Sequence, residues 1–194
     1  MTSEQVLEEF RKAGALLEGH FILSSGLHSD TFLQRALVFQ DAKRTARLCR
    51  SLAAKVRAEL SVPFTAIVSP AVGGIVPGYE MGRQLGLPAM YVERQDGRFQ
   101  LRRNFSLRKG QPVLIVEDVI STGTSSRECI EAVRAAGGKP VAVACLIDRS
   151  SGRVRLGIKL IALAAIKLPA WESGKLPPHL AGTPAVKPGS RGLQ

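Results

Sequence analysis

The residues whose order carries the most chemistry are Glu117, Asp118, Val119, Ile120, Ser121, Thr122, Gly123, Thr124 and Ser125. Four apolar residues, Val113 to Val116, lead into the two acids, and a turn of small and hydroxyl-bearing residues follows. An apolar run bounded in this way fits a strand of a buried parallel sheet. A strand that ends in a Gly/Ser/Thr turn and opens a helix makes an anion site. The N–H groups of Gly123 to Ser126 converge there, and the helix dipole favours negative charge. Two carboxylates just ahead of such a turn would repel a polyphosphate. They suit the hydroxyls of a sugar instead. One phosphate beside one diol describes a ribose 5-phosphate.

A lone Thr-Gly-Thr would be an ordinary strand-to-helix turn. The apolar strand, the acidic pair and the hydroxyl cluster in register make it a binding loop. The chain contains no G-x-x-x-x-G-K-[ST] and no G-x-G-x-x-G, so the competing phosphate motifs are excluded. Asp148-Arg149 ends the strand after the loop's helix. The planar fork of Arg149 suits a carboxylate or carbonyl edge, with a salt bridge to Asp148 as the structural alternative. Ser121 can also reach a base. Cys49, Cys129 and Cys145 have no C-x-x-C spacing, which predicts buried reduced thiols and no zinc site. His20 and His28 lack a carboxylate at a recognisable spacing and read as surface or cover residues.

The elements that must position these groups alternate along the chain. Residues 4 to 17 have helical spacing of Val6, Leu7, Phe10, Ala13 and Leu17, and short strands are expected at 21–23 and 31–33. Asp41 caps a helix predicted to reach about Leu60. Strands follow at 64–69, 89–93, 113–118, 141–147 and 158–165, with helices at 75–85 and 126–136 and a basic loop after Glu93. Such alternation implies an α/β fold, an open and mostly parallel sheet flanked by helices. Ligands of these sheets lie beyond the carboxyl ends of the strands, where Ser69, Glu93, Glu117-Asp118 and Asp148-Arg149 all fall.

A length of 194 residues with 45% hydrophobic and 22% charged content suits one soluble domain over the whole chain, 1–194. Its N-terminal part to about residue 40 forms a small appendage, and an irregular proline-rich tail starts near residue 170. No apolar run reaches the roughly 20 residues of a membrane span, and the polar start Met1-Thr2-Ser3-Glu4-Gln5 is no secretory signal. A cytoplasmic protein is expected. The net charge of +11 asks for anionic partners. With aromatics at only 5% and no basic tract interleaved with them, nucleic acid is the less favoured one.

The motif at 117–125 resembles the signature of the type I phosphoribosyltransferases, two acids and a Thr/Ser-Gly-Thr loop for 5-phosphoribosyl diphosphate. The stretch from His20 to Phe32, with its Phe21-Ile22-Leu23-Ser24-Ser25-Gly26 turn, resembles the pyrimidine-covering hood of the orotate-using members. Ser69-Pro70-Ala71-Val72-Gly73-Gly74 is similar to the family's diphosphate-binding loop, and the likeness runs through Tyr91-Val92-Glu93-Arg94 to Asp148-Arg149. The resemblance implies transfer of a phosphoribosyl group to orotate, with Mg²⁺ as cofactor, in a homodimer with shared active sites. It implies that Glu117 and Asp118 hold the ribose hydroxyls, that Thr122, Gly123, Thr124 and Ser125 hold the 5-phosphate, and that Val119, Ile120 and Ser121 belong to the same 5-phosphoribosyl diphosphate site. Val72, Gly73, Arg94 and Arg98 would meet the diphosphate, Arg94 from the partner subunit as part of the catalytic set. Ser24, Phe32, Ser121 and Arg149 would bind orotate. The chain departs from many members in three places: Ser24 replaces a lysine, Val72-Gly73 replaces Tyr-Lys, and the mobile loop carries Arg98, Arg102 and Arg103 instead of lysines and a histidine. Another nucleobase as acceptor, or a regulator that binds 5-phosphoribosyl diphosphate and nucleic acid, remain the alternatives.

Overall fold

The computed structural model describes residues 1–23, 26–150 and 152–188. Ser24 therefore lies outside the described residues. Helix α1 (Ser3–Lys12) opens on a capping box, in which the Gln5 N–H donates to Thr2 Oγ1 at 3.3 Å and the Thr2 N–H donates to Gln5 Oε1 at 2.8 Å. The helix stops short of the expected Leu17. Gly14 takes φ of 62°, a left-handed value that ends the turn, and the chain enters β1 (Leu16–Ile22). Strand β1 pairs antiparallel with β2 (His28–Leu33), and this hairpin is the hood. A short α2 (Ala36–Phe39) precedes α3 (Ala42–Glu59), whose cap is Asp41, accepting from the Arg44 N–H at 3.0 Å.

The remaining strands are β3 (Ala66–Pro70), β4 (Ala89–Gln95), β5 (Arg98–Leu101), β6 (Pro112–Ile120), β7 (Lys139–Asp148) and β8 (Lys159–Ala165). They form one sheet in the order β5-β4-β3-β6-β7-β8, parallel except for the edge strand β5. Helices α4 (Ile75–Leu85) and α5 (Thr124–Ala135) make two of the crossovers. The basic segment after Glu93 is thus not an open loop at its start. It begins as a tight β4–β5 hairpin, turned at Asp96 and Gly97, both at positive φ.

The sheet is buried on both faces, which explains its near-continuous apolar strands. The two-residue period sends Ile67, Leu114, Val116 and Ala144 to one side, against Phe10, Leu48, Leu52 and Met81. Ala66, Val68, Val113, Ile115 and Val143 go to the other, against Cys129, Ile130 and Val133 of α5. All three cysteines are buried free thiols.

The tail does more than lie over the surface. The Ile22 N–H donates to the Val186 carbonyl, and the Val186 N–H to that of His20, each at 2.8 Å. His28 and Trp171 exchange both backbone hydrogen bonds at 2.8 Å, and Ser29 Oγ donates to the Pro169 carbonyl at 2.7 Å. The His20 ring contacts Thr183 Oγ1 at 2.9 Å and the His28 ring at 2.6 Å. The hood is strapped down by residues 169–186.

Candidate active site

The carboxyl ends of β3, β6 and β7 face the hood across a cleft of about 1270 Å³. At the end of β6 successive side chains take opposite directions. Glu117 turns toward α5, where its Oε1 accepts from Ser126 Oγ at 3.1 Å, and it is buried. Asp118 turns into the cleft. Its Oδ1 accepts from the Val119 N–H at 2.6 Å and from Arg35 Nη1 at 3.1 Å, while its Oδ2 is buried and has no hydrogen-bond partner among the described residues. Burial, and then the Asp118 charge, push the Glu117 carboxyl up to about 8. Burial also raises the Asp118 carboxyl, against the opposing pull of the Arg35 charge and the Val119 N–H.

The loop that follows is shaped by Gly123. It sits at φ 75° and ψ 9°, and a Cβ there would lie 2.6 Å from Val154 Cγ1. Being the N-cap of α5 without a side chain, it leaves the first turn of the helix uncapped and open to an anion. Thr122 and Thr124 face each other, their hydroxyls 3.0 Å apart, and Arg127 donates to the Thr122 carbonyl at 2.8 Å. Ser121 and Thr122 line the cleft, as does Val119. Ile120 is buried in the core, so only its backbone belongs to the loop.

Gly73 lies directly against the acid. A Cβ on it would be 2.3 Å from Asp118 Oδ2, so the residue type keeps space beside that carboxylate. Val72, next to it, is 82% exposed at the cleft edge.

Arg149 enters from the end of β7. The salt bridge to Asp148 does not form: Asp148 accepts from the N–H groups of Ser150 at 2.7 Å and Gly152 at 3.2 Å, and so holds the following loop. Arg149 makes no ion pair among the described residues, and its Nε is buried without a partner. Burial, then the nearby Arg35 charge, lower its pKa from the ordinary value. A guanidinium held in this way is ready for an anionic or carbonyl ligand. Phe32 of the hood faces the same cleft.

The basic hairpin stands elsewhere. Arg94 pairs with Glu128, donates to the Gly97 carbonyl at 2.8 Å and lies over the Phe99 ring at 4.4 Å. Arg103 is bidentate on Glu93 at 2.8 and 3.0 Å. Neither they nor Arg98 lines the cleft. Four basic residues that do, Arg35, Arg127, Arg153 and Arg155, were not singled out from sequence. None belongs to a recognisable motif, and only the fold brings them to the site.

Comparison with known proteins bears on this geometry. The model of the phosphoribosyl transferase domain matches residues 38–159. Over 193 residues, the whole of both chains, the sequence is 62% identical to the orotate phosphoribosyltransferase of Maricaulis maris. It is equally similar, 62% over 191 residues and 98% of each chain, to that of Parvibaculum lavamentivorans. Among solved structures, orotate phosphoribosyltransferase from Aeropyrum pernix superposes with a TM-score of 0.72 at 26% identity, covering 83% of this chain and 93% of that one.

Proposed function

The chain belongs to the phosphoribosyltransferase family, among the orotate phosphoribosyltransferases, and from that premise we propose how its cleft works. It joins orotate to the ribose of 5-phosphoribosyl diphosphate, giving orotidine 5′-phosphate and diphosphate for pyrimidine nucleotide synthesis. The observation that carries this reading is the convergence of Asp118, the uncapped first turn of α5 and the unpaired Arg149 on one cleft under the hood.

The sugar 5-phosphate sits on the N–H groups of residues 122 to 125, where the α5 dipole complements it. Asp118, supported by Glu117, accepts hydrogen bonds from the ribose hydroxyls. Orotate lies between Phe32 and the Arg149 guanidinium, with Ser121 at its edge. Its ring N–H is a weak acid, still protonated at neutral pH, and the proton passes to the departing diphosphate or to water as the N–C bond forms. The demanding event is departure of diphosphate from the anomeric carbon, with positive charge building on the ribose. The Asp118 carboxylate beside the ring stabilises that charge, and the remaining work is positioning. Val72 and Gly73 leave room for the diphosphate beside Asp118. Asp118 would be the residue to hold Mg²⁺, its Oδ2 offering one hard oxygen without a hydrogen-bond partner among the described residues, and the other ligands would come from substrate and water. When bound, it neutralises the leaving diphosphate.

The working form is a homodimer in the cytoplasm. Arg94 is held away from its own cleft by Glu128 and Phe99, which fits service to a neighbour's site. Val72, Val76 and Tyr79 leave an apolar patch exposed at the start of α4, which a second subunit would cover. The buried free thiols suit a reducing compartment. The test is to follow the absorbance of orotate, uracil, adenine and hypoxanthine in turn with 5-phosphoribosyl diphosphate and Mg²⁺. Only orotate should be consumed. Turnover of another base, or of none, would refute the assignment.

A further inference from the structure

Arg35 has no part in the reaction as described so far. It follows the last hood strand, is half exposed, and lines the cleft. Its Nη1 donates to Asp118 Oδ1 at 3.1 Å, and its charge is near enough to Arg149 to disfavour that residue's own. One side chain thus touches the acid of the sugar site and lies close to the guanidinium of the base site. Arg35, Arg127, Arg149, Arg153 and Arg155 line the cleft against one carboxylate among its described lining residues, Asp118, so the cleft carries an excess of positive charge.

The chemistry of the acceptor says what belongs at this seam. Orotate is uracil with a carboxylate on the carbon next to the nitrogen that attacks the ribose. When that nitrogen faces the anomeric carbon, the carboxylate must lie between the base site and the sugar site. We propose that Arg35 is the residue that recognises the orotate carboxylate, exchanging its resting contact with Asp118 for the substrate as the ribose hydroxyls take its place on that acid. This rests on the orotate reading above. Planar guanidinium and planar carboxylate match through paired N–H donors, and the partly desolvated cleft strengthens the contact. Arg35 therefore separates carboxylated pyrimidines from uracil, while Arg149 holds the ring.

Orotidine 5′-phosphate and uridine 5′-phosphate differ only in that carboxylate, so their relative affinity isolates the contact. Calorimetric titration of both nucleotides into wild type, Arg35→Gln and Arg35→Lys is the experiment. The glutamine variant should lose at least about ten-fold of the wild-type preference for orotidine 5′-phosphate, and the lysine variant should keep part of it. Any effect passed through Asp118 cancels, because both nucleotides carry the same ribose phosphate. In turnover, the KM for orotate should rise much more than that for 5-phosphoribosyl diphosphate. An unchanged preference in a folded Arg35→Gln protein that still turns over orotate would overturn the role of Arg35 alone. A wild type that neither uses orotate nor prefers orotidine 5′-phosphate would overturn the orotate reading with it.

Discussion

Glu117 makes the ligand-free protein less stable as pH rises, and Glu117→Gln should remove that dependence. The carboxyl is 5% exposed, lies beside Asp118, and titrates near 8 in place of its ordinary 4.5. Between those values the folded protein keeps a proton that the unfolded chain has released. Stability from this group is therefore complete below about pH 4.5 and falls as pH rises through about 8. One proton gives a slope of about 1.36 kcal/mol per pH unit, hence about 2 kcal/mol from pH 5.5 to 7.0. For a chain of 194 residues that corresponds to a melting temperature roughly 4–8 °C lower at the higher pH. The amide that Glu117→Gln introduces still accepts from Ser126 and stays neutral throughout. Thermal melts of both proteins at several pH values provide the test, and the difference between them cancels the titrating groups that are not coupled to Glu117. If the two melting curves shift in parallel from pH 5.5 to 7.0, Glu117 is ionised in the folded protein and the burial argument fails.

Three further outcomes follow from the site. Arg149→Ala should raise the KM for orotate far more than that for 5-phosphoribosyl diphosphate, with poor rescue by Arg149→Lys because lysine lacks the planar fork; equal effects in steady-state kinetics would remove it from the base site. Gly73→Ala puts a methyl where Asp118 Oδ2 now lies, 2.3 Å from the built Cβ, and should lower kcat/KM by about a hundred-fold while the melting temperature stays close to wild type. Arg94→Ala and Asp118→Asn should be nearly inactive as separate dimers but recover roughly a quarter of wild-type activity when unfolded and reassembled together, since half the dimers then hold one intact shared site. No recovery in hybrids confirmed by mass would place Arg94 outside the neighbour's site.

The sheet and the phosphate loop were legible in the sequence because their signals are local. An apolar run with an acidic pair and a glycine turn specifies strand, loop and helix start within about a dozen residues, and β6, Gly123 and α5 stand where those signals place them. Asp41 and Gly86 likewise mark helix ends by local chemistry. What was not legible depends on distant partners. Helical spacing ran on past Lys12 because Leu16 and Leu17 are apolar for a different reason, their place in the hood hairpin. The neighbours Asp148 and Arg149 left a salt bridge open as an alternative to a base-binding arginine, and only the fold shows that Asp148 is claimed by the N–H groups of the next loop. Arg35 lies 83 positions from the acid it touches, and no spacing rule spans such a gap.

The strap across the hood sets an order of events for the growing chain. The residues of the phosphate loop lie close together in sequence, and the sheet that holds them is complete once β8 has emerged. The hood's backbone and side-chain partners at Pro169, Trp171, Thr183 and Val186 come far later, Thr183 lying 163 positions beyond His20. Until they have been made, β1 and β2 form an isolated two-stranded hairpin, a structure of marginal stability in water. A nascent chain therefore acquires its anion site before it acquires the roof that shapes the base site. During synthesis, affinity for sugar phosphate precedes selectivity for the nucleobase.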